Sequence, residues 1–399
     1  MRIVVNAMSS GVSSGPVFFN HFLPALGRHA RGHEITVIVA PWQPGVRAAV
    51  PPTFRVHVPR GLPRSFLARV MWEQLVLPIL LRRWRTDVLF AWGNLASLFA
   101  GCAKVLEVTN ANPFSLLDLG WSPAKRLKLR LLRWATELSA RHADRVIFIS
   151  EDSRKRLGRM LSLPPARTAV VYYGWAAFPP GGDEPPPGLT DYLLTVSVLL
   201  PHKNIETLMQ AFDLLVERHG YAGSLVVAGP FGSASYQNRL ECLRSGLAHG
   251  ERILFVGRVD HADLASYYRH ARAFVFPSVE ETLGLPLQEA MGCGVAIAAP
   301  DCELAPNGPE CFNPSREICG DAADYFDPFD PEAICASMQR LLTDDEYRRR
   351  LVERGARRIP RFTWDSTAAE TVAILESLDV RAPGSAGRSV TAGHERNEL

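Results

Sequence analysis

The chain has 399 residues, of which 47% are hydrophobic and 21% charged, and its formal net charge is +3. This length is enough for two domains that each bury a core. No apolar run reaches the roughly 20 residues that span a bilayer, and the first residues are typical of a strand rather than a signal peptide, so we expect a cytoplasmic protein.

Metal and redox motifs are not recognisable in the sequence. The seven cysteines are odd in number and include no CxxC pair, although Cys293, Cys302, Cys311 and Cys319 recur every eight or nine residues. A metal site among them is the less favoured alternative, and reduced thiols are the expectation. No Asp-x-Asp motif occurs, so a metal-bound diphosphate is not indicated.

The small net charge hides a difference between the halves of the chain. Residues 1–175 contain 24 Lys and Arg against 9 Asp and Glu, a net charge of +15, whereas the remainder has a net charge of −12. Two explanations stay open. The basic half attracts an anionic surface or substrate, or its charge balances the acidic half. We expect no nucleic-acid partner.

The first half opens with a βαβ pattern. Apolar runs at 3–5 and 35–39 predict buried strands, with a helix at 18–29 between them. The small residues of SSGVSSGP predict a flexible loop before that helix, where a glycine-rich segment often approaches a substrate. A plain flexible connection is the alternative.

Two further helices of the first half are distinctive. Residues 66–84 are the most hydrophobic candidate; Pro78 should kink or break it, and we expect it to be a core helix. Residues 122–142 predict a basic helix with leucines toward one side. That helix is either packed with a solvated cationic face or docked on an anionic membrane.

A Pro- and Gly-rich stretch at 176–190 predicts a linker, after which the βα pattern restarts. Lys203 opens the first helix of the second half, where its charge can neutralise a diphosphate, although a solvated surface Lys is the ordinary alternative. Predicted strands end in Gly229 and Gly257, which permit a base or ribose to lie close to the backbone but are also normal strand stops.

The stretch 274–294, FVFPSVEETLGLPLQEAMGCG, combines a strand, a loop and a helix. Gly284 frees the loop, and Pro286 fits the first turn of a helix whose N–H groups favour phosphate. Glu281 and Glu289 bracket this turn, so their carboxylates suit hydroxyl groups on either side of a diphosphate. A solvated Glu and a Glu favoured by the helix dipole are the alternative.

This stretch resembles the donor-site signature of the family 4 glycosyltransferases, which have the two-domain GT-B fold, use a nucleotide sugar and retain anomeric configuration. The matching positions include Glu281, Gly284, Leu285, Pro286 and Glu289. Two positions depart from the pattern, because Thr282 stands where Gly is common and Leu283 where Phe is common. The resemblance implies that Glu281 contacts the donor sugar and Glu289 the ribose.

The resemblance covers residues 1–378 and implies an α/β GT-B fold of two facing Rossmann-like domains. We expect an acceptor-side domain at 1–175, a donor domain at 191–358 and a helix at 359–379 that crosses back to the first domain. Residues 380–399 are expected to be disordered.

The resemblance also implies residues on both sides of the cleft. The loop that carries Gly11 and Gly15 would border the cleft, and Asn110 takes a place where relatives often have His. Asn110 cannot act as a base, but it can hydrogen-bond a sugar. Val198 stands where an Arg is usual, so Lys203 and another Arg, Arg258, are left to neutralise the phosphates.

The predicted activity is transfer of a sugar from a nucleotide-diphosphate sugar to a hydroxyl acceptor, with retention and without a metal or other cofactor. Glu281 and Lys203 are the predicted catalytic residues, and the amides of 283–285 would contact the diphosphate. The alternatives are a nucleotide-sugar epimerase and a non-catalytic nucleotide-sugar-binding protein. The basic first half favours a lipid-linked or envelope-polysaccharide acceptor at the inner face of the cell membrane.

Overall fold

The computed structural model describes residues 1–10, 14–117, 120–178, 184–305 and 311–378. Two parallel β-sheets, of seven and six strands, organise these residues. Helices connect the strands, because parallel neighbours can only be joined by a crossover. The predicted pair of α/β units is confirmed.

The first sheet has the strand order β3-β2-β1-β4-β5-β6-β7. Its strands are β1 (Arg2–Asn6), β2 (Glu34–Ile38), β3 (Arg55–His57), β4 (Val88–Trp92), β5 (Ala103–Val108), β6 (Arg145–Phe148) and β7 (Thr168–Val170). The helices are α1 (Ser14–His29), α2 (Pro44–Ala48), α3 (Phe66–Leu75), α4 (Leu77–Arg83), α5 (Pro123–His142) and α6 (Glu151–Met160). Every residue of β4 is buried, as in a strand covered on both faces of its sheet.

The second sheet has the order β10-β9-β8-β11-β12-β13. Its strands are β8 (Tyr192–Val196), β9 (Ser224–Ala228), β10 (Ile253–Gly257), β11 (Ala273–Val275), β12 (Ile297–Pro300) and β13 (Ala323–Phe326). The helices are α7 (Ile205–His219), α8 (Ala234–Gly246), α9 (His261–His270), α10 (Leu285–Cys293), α11 (Ser315–Cys319), α12 (Pro331–Thr343), α13 (Asp345–Arg358) and α14 (Trp364–Glu376).

The last helix, α14, packs on the first half of the chain. Trp364 lies edge-on to Phe18 of α1, with ring centroids 5.7 Å apart. Arg28 binds Asp365 through two hydrogen bonds of 2.9 and 3.0 Å. The predicted helix that crosses back is therefore present, and it ties the two sheets together.

The hydrophobic helix predicted at 66–84 is broken, as Pro78 suggested, into α3 and α4 with Val76 between them. The expectation of a core helix is correct for Leu77, Pro78 and Leu81 of α4, which are buried, but wrong for much of α3. Several of the large apolar side chains in this stretch are exposed: Phe66, Leu67, Met71, Leu75 and Ile79. The sequence shows that these residues are apolar but not what they face, and here only part of the helix contacts the sheet.

Helix α5 has a similar exposed apolar side. Leu127, Leu131 and Trp134 expose 58%, 60% and 64% of their surface, so a packed leucine face is also wrong for this part of the helix. Lys128 Nζ lies 5.5 Å from the centre of the Phe66 ring, which places α5 beside α3. We refer to the exposed apolar residues of α3, α4 and α5 as the apolar ridge. Among the described residues, no helix is long and apolar enough to cross a membrane.

A disulfide joins Cys302 to Cys311, and this corrects the expectation that all thiols are reduced. The Cα atoms of the pair are 5.6 Å apart, a separation that a disulfide can bridge. The other five cysteines are free. In the described parts of the chain, no group of three or more His, Cys, Asp or Glu side chains is arranged to hold a metal ion.

Candidate active site

The candidate site lies where β8 and β11 end beside each other. These neighbouring strands form the point where the order of the second sheet reverses. Open parallel sheets bind ligands in the crevice at such a point, outside the carboxyl ends of the strands. Lys203 follows β8 and Glu281 follows β11, so both predicted catalytic residues lie at this crevice.

The donor loop, residues 276–284, connects β11 to α10. Its last residue, Gly284, has a φ of +84°, and a Cβ atom there would lie 3.0 Å from Leu287 Cδ1. Glycine is therefore required for the sharp entry into α10. The helix begins at Leu285 with Pro286 in its first turn, as predicted. Pro286 has no N–H, and Leu287 N donates to Gly284 O at 2.9 Å. The positive end of the helix dipole still lies at this turn and favours an anion.

Lys203 and Glu281 form an ion pair at the crevice. Lys203 Nζ donates to Glu281 Oε1, and Ser278 Oγ donates to the same oxygen at 3.0 Å. The Lys203 and Glu281 side chains expose only 17% and 14% of their surface. A pair so shielded from water interacts more strongly than a surface pair and holds each charge in a defined position.

Backbone hydrogen bonds hold the donor loop on both sides. Glu281 N donates to Phe312 O at 2.7 Å, and Phe312 N donates to Val279 O at 2.9 Å. Val279 N in turn donates to His202 O at 2.9 Å, next to Lys203. Phe312, which lies between β12 and α11, thus supports the backbone of Glu281.

Glu289 lies on α10, with its carboxylate accepting a 2.8 Å hydrogen bond from the hydroxyl of Tyr268. Burial raises the pKa of Glu289, and the Tyr268 hydrogen bond lowers it. Tyr268 itself is fully buried on α9. Its hydroxyl therefore fixes one Glu289 oxygen in place at the same edge of the sheet as the donor loop.

The remaining donor-side residues lie on neighbouring strand ends and in the loop. Gly229 has a φ of +132°, and a Cβ there would lie 1.7 Å from Ser197 O, so only glycine fits. Gly257 ends β10 with a φ of +69°, and its carbonyl accepts from Gly229 N at 2.7 Å. Arg258 follows and is exposed, whereas Leu283 is buried.

On the opposite side, the turn after β5 carries Asn110. The buried Asn94 side chain fixes this turn, since its Oδ1 accepts from Thr109 N at 3.1 Å and from Asn110 N at 3.0 Å. The side chain of Thr282 in the donor loop reaches Thr109 O, so the turn that carries Asn110 lies against the donor loop.

The other predicted acceptor-side residues are at the start of α1. Gly11 lies outside the described residues. Gly15 is in the first turn of α1 rather than in the loop before it, because the helix starts at Ser14 and not at residue 18. A Cβ on Gly15 would lie 2.6 Å from Ser10 Cα. Glycine at this position therefore allows α1 to pack closely against Ser10, and it does not serve to make a loop flexible.

Glu280 is a buried carboxyl group beside the ion pair, only 5% exposed. Burial raises its pKa to about 7; a Ser115 hydrogen bond lowers the pKa, and the nearby Glu281 charge raises it. Glu280 and Ser115 line a cavity of about 30 Å³ between the two halves.

Sequence reasoning missed the residues that position the predicted side chains. Ser278 precedes Glu281 by three residues and could have been found as a polar residue within the same motif. Tyr268 and Asn94 lie far from their partners in sequence, on α9 and after β4. Their roles depend on how the elements pack, and no local pattern indicates them.

Comparison with known proteins matches each half of the chain to a glycosyltransferase family model. Residues 183–358 match the family described as glycosyl transferases group 1. Residues 21–175 match the one described as glycosyltransferase family 4. The two matches together extend over most of the chain.

Individual relatives agree with these matches. An O-antigen chain mannosyltransferase B from Escherichia coli is 28% identical over 61% of this chain and 64% of its own length. A phosphatidyl-myo-inositol mannosyltransferase from Mycolicibacterium smegmatis is 28% identical over 48% of each chain. This chain therefore spans less than two thirds of the length of either relative.

The fold is shared with solved structures. Anabaena Alr3699/HepE, in a crystal structure with UDP-glucose, superimposes with a TM-score of 0.69 at 16% identity, over 95% of this chain and all of that one. The two facing parallel-sheet domains are thus the GT-B fold. The sequence matches across both domains and this shared architecture show that the chain belongs to the group 1, family 4 glycosyltransferases.

Proposed function

We propose that this protein transfers a sugar from a nucleotide-diphosphate sugar to a hydroxyl acceptor with retention of anomeric configuration. The Lys203–Glu281 ion pair beside the start of α10 carries this proposal. It combines a cation and a helix N-terminus for a diphosphate with a carboxylate for sugar hydroxyls. The UDP-glucose complex of the Anabaena protein, which has the same fold, supports a nucleotide-sugar donor.

In the proposed reaction, the bond between the sugar and the diphosphate breaks while the acceptor oxygen attacks from the same face. Lys203 and the first amides of α10 stabilise the negative charge that develops on the leaving diphosphate. Its phosphate oxygen takes the proton of the acceptor hydroxyl. Glu281 holds the sugar, and Glu280 and Asn110 border the acceptor side.

The direct test begins with a thermal-shift screen of nucleotide sugars. A ligand present at 100 times its dissociation constant stabilises a protein by about 2.7 kcal/mol, which such a screen detects. The donor found in this way is then incubated with hydroxyl acceptors, and NMR identifies the anomeric configuration of the product. An inverted product would contradict the proposed mechanism.

Two other functions make different predictions in the same assay. An epimerase would convert the donor when no acceptor is present. A non-catalytic binding protein would be stabilised by the donor but give no product with any member of a broad acceptor panel. Incubation of the donor alone, followed by incubation with acceptors, therefore separates the three functions.

We expect full activity in excess chelator. The proposed diphosphate site consists of Lys203 and the start of α10, so it needs no metal to neutralise charge. Activity is measured with and without EDTA after extensive dialysis. Loss of activity that returns only when a divalent metal is added would contradict this prediction.

Replacing Glu289 by Gln should weaken donor binding about 10- to 150-fold, because a charge-assisted hydrogen bond to a ribose hydroxyl contributes about 1.5–3 kcal/mol. The dissociation constant is measured by calorimetry. Tyr268→Phe, which removes only the supporting hydroxyl, should have a smaller effect in the same direction. Unchanged affinity in Glu289→Gln would exclude Glu289 from the ribose site.

We further propose that the acceptor is lipid-linked or belongs to an envelope polysaccharide and is reached at the cytoplasmic surface of a membrane. The apolar ridge and the cations beside it support this: Arg69, Lys125, Lys128 and Arg130. Helix α5 also starts near the crevice, since the Lys125 charge contributes to the lowered pKa of the buried His202, after burial and Lys203. An acceptor held at the ridge would therefore lie close to the donor site.

A further inference from the structure

Thr282 joins the donor loop directly to the acceptor-side domain. Its hydroxyl donates a 2.9 Å hydrogen bond to Thr109 O, at the end of β5. Its carbonyl oxygen accepts from Ser150 Oγ at 2.7 Å and from Ser153 Oγ at 2.9 Å. We propose that Thr282 is a positioning residue that sets the place of Glu281 relative to the acceptor.

Hydrogen bonds hold the groups that Thr282 contacts. Thr109 O belongs to the turn that the buried Asn94 side chain fixes through its Oδ1. Ser150 and Ser153 are fully buried at the start of α6, where Ser150 Oγ accepts from Ser153 N at 3.1 Å. Because these partners are held in place, they would not follow a shift of Thr282, and its hydrogen bonds would break.

The contacts of Thr282 also restrain Glu281, because Thr282 is the next residue in the chain. The first domain holds the backbone of Glu281 through Thr282, and Phe312 O holds it through the Glu281 amide. A glycine at this position would have no side-chain hydroxyl to donate. The Thr282 hydroxyl therefore supplies a hydrogen bond between the domains that a glycine could not form.

Other contacts between the domains do not depend on Thr282. The Glu317 carboxylate on α11 accepts from Glu151 N at 2.6 Å and from Asp152 N at 2.8 Å. The Arg156 guanidinium donates to Cys311 O at 2.6 Å. Loss of the Thr282 hydroxyl should therefore loosen the donor loop without separating or unfolding the domains.

The inference rests on the proposed transfer reaction, and its test uses variants at this position in the full chain. Thr282→Val keeps the shape of the side chain and removes the hydroxyl. We expect kcat for transfer to fall about 5-fold, the factor that one neutral hydrogen bond contributes, with the donor dissociation constant unchanged within 2-fold. The ratio of donor hydrolysis to transfer should rise, because the acceptor no longer meets the sugar in a fixed geometry.

Thr282→Ser restores the hydroxyl and should recover most of the transfer rate, whereas Thr282→Gly should behave like the Val variant or worse. Thr343→Val is the matched control, since Thr343 is exposed at the end of α12, its hydroxyl donates to Gln339 O at 2.9 Å, and the variant should match the parent. Unfolding temperatures of all variants are compared with that of the parent to confirm that they fold.

Several results would overturn the inference. Transfer by Thr282→Val at the rate of the parent would show that the hydroxyl has no positioning role. Failure of Thr282→Ser to recover activity would show that the hydroxyl is not the cause. Failure of the parent to transfer sugar to any acceptor would instead contradict the proposed function. In that case the inference is still tested by hydrogen exchange, where the backbone amides of the donor loop, residues 276–284, must exchange faster in the Val variant than in the parent.

Discussion

Lys203→Ala and Glu281→Gln are each expected to reduce sugar transfer about 100- to 1000-fold while leaving the fold intact. A preorganised charge contact contributes about 2.7–4 kcal/mol to a transition state. Lys203 would lose contact with the leaving diphosphate, and Glu281→Gln would lose the charge that holds both Lys203 and the donor sugar. Initial rates at saturating donor and acceptor measure the loss.

The fold should survive because both side chains lie at the crevice rather than in a hydrophobic core. Each variant nevertheless leaves its partner charge without a counter-ion, so unfolding temperatures must be measured alongside the rates. Lys155→Ala is the control for the loss of an exposed Lys. Glu353→Gln is the control for the loss of a carboxylate in an ion pair, since Glu353 binds Arg349 at 2.9 Å on the surface.

The two replacements should also differ in their effect on binding. Lys203→Ala removes a cation from the diphosphate site, so we expect weaker donor binding as well as slower transfer. Glu281→Gln keeps a side chain that can hydrogen-bond the sugar and should mainly lower kcat. A rate within threefold of the parent in either variant would show that the residue is not catalytic.

The sequence predicted well those features that depend on local pattern. Apolar runs, proline and glycine predicted the first two strands, the strand before the donor loop, the break near Pro78 and the start of α10. The strands β3, β12 and β13 were not predicted. Lys203 and Glu281 were each singled out on local grounds. The two residues are 78 positions apart in the sequence and meet because β8 and β11 are neighbours in the sheet. These strands become neighbours at the point where the strand order reverses.

The features that could not be predicted depend on packing at a distance. Neither Tyr268 nor Asn94 belongs to a local motif, and each matters because of a residue that another element brings to it. The Cys302–Cys311 disulfide likewise depends on how close the two residues lie in space, which their spacing of nine residues in the sequence does not show. Composition showed that α3 and α5 contain many apolar residues, but only the structure shows which of them are exposed.

The second large expected effect concerns membrane binding, because the exposed apolar ridge could insert into a membrane surface. We expect the parent to sediment with vesicles of phosphatidylglycerol and phosphatidylcholine at low salt. Leu127, Leu131 and Trp134 recur at positions i, i+4 and i+7 of α5 and are all exposed, which is the pattern of a helix lying in a membrane interface. Trp134 suits that interface because its ring is apolar and its N–H is polar.

Replacing these three residues together by Ser should weaken vesicle binding about 100-fold. A fully buried apolar side chain contributes about 1.5–3 kcal/mol, and we expect each residue to be buried only in part, so about 3 kcal/mol is lost in total. Leu304→Ser is the matched control, because Leu304 is also exposed but lies in the second half of the chain. It should bind vesicles like the parent.

The basic residues of α5 provide an independent test of the same surface. Replacing Lys125, Lys128 and Arg130 by Gln should weaken binding at low salt, at about 1 kcal/mol for each charge, and the difference should shrink at high salt because ions screen the attraction. If the basic charge only balances the acidic second half, these variants would bind vesicles like the parent. That result would exclude the membrane proposal, and so would failure of the parent to bind anionic vesicles at low salt. Neither result would affect the roles of Lys203 and Glu281, because these residues do not belong to the apolar ridge.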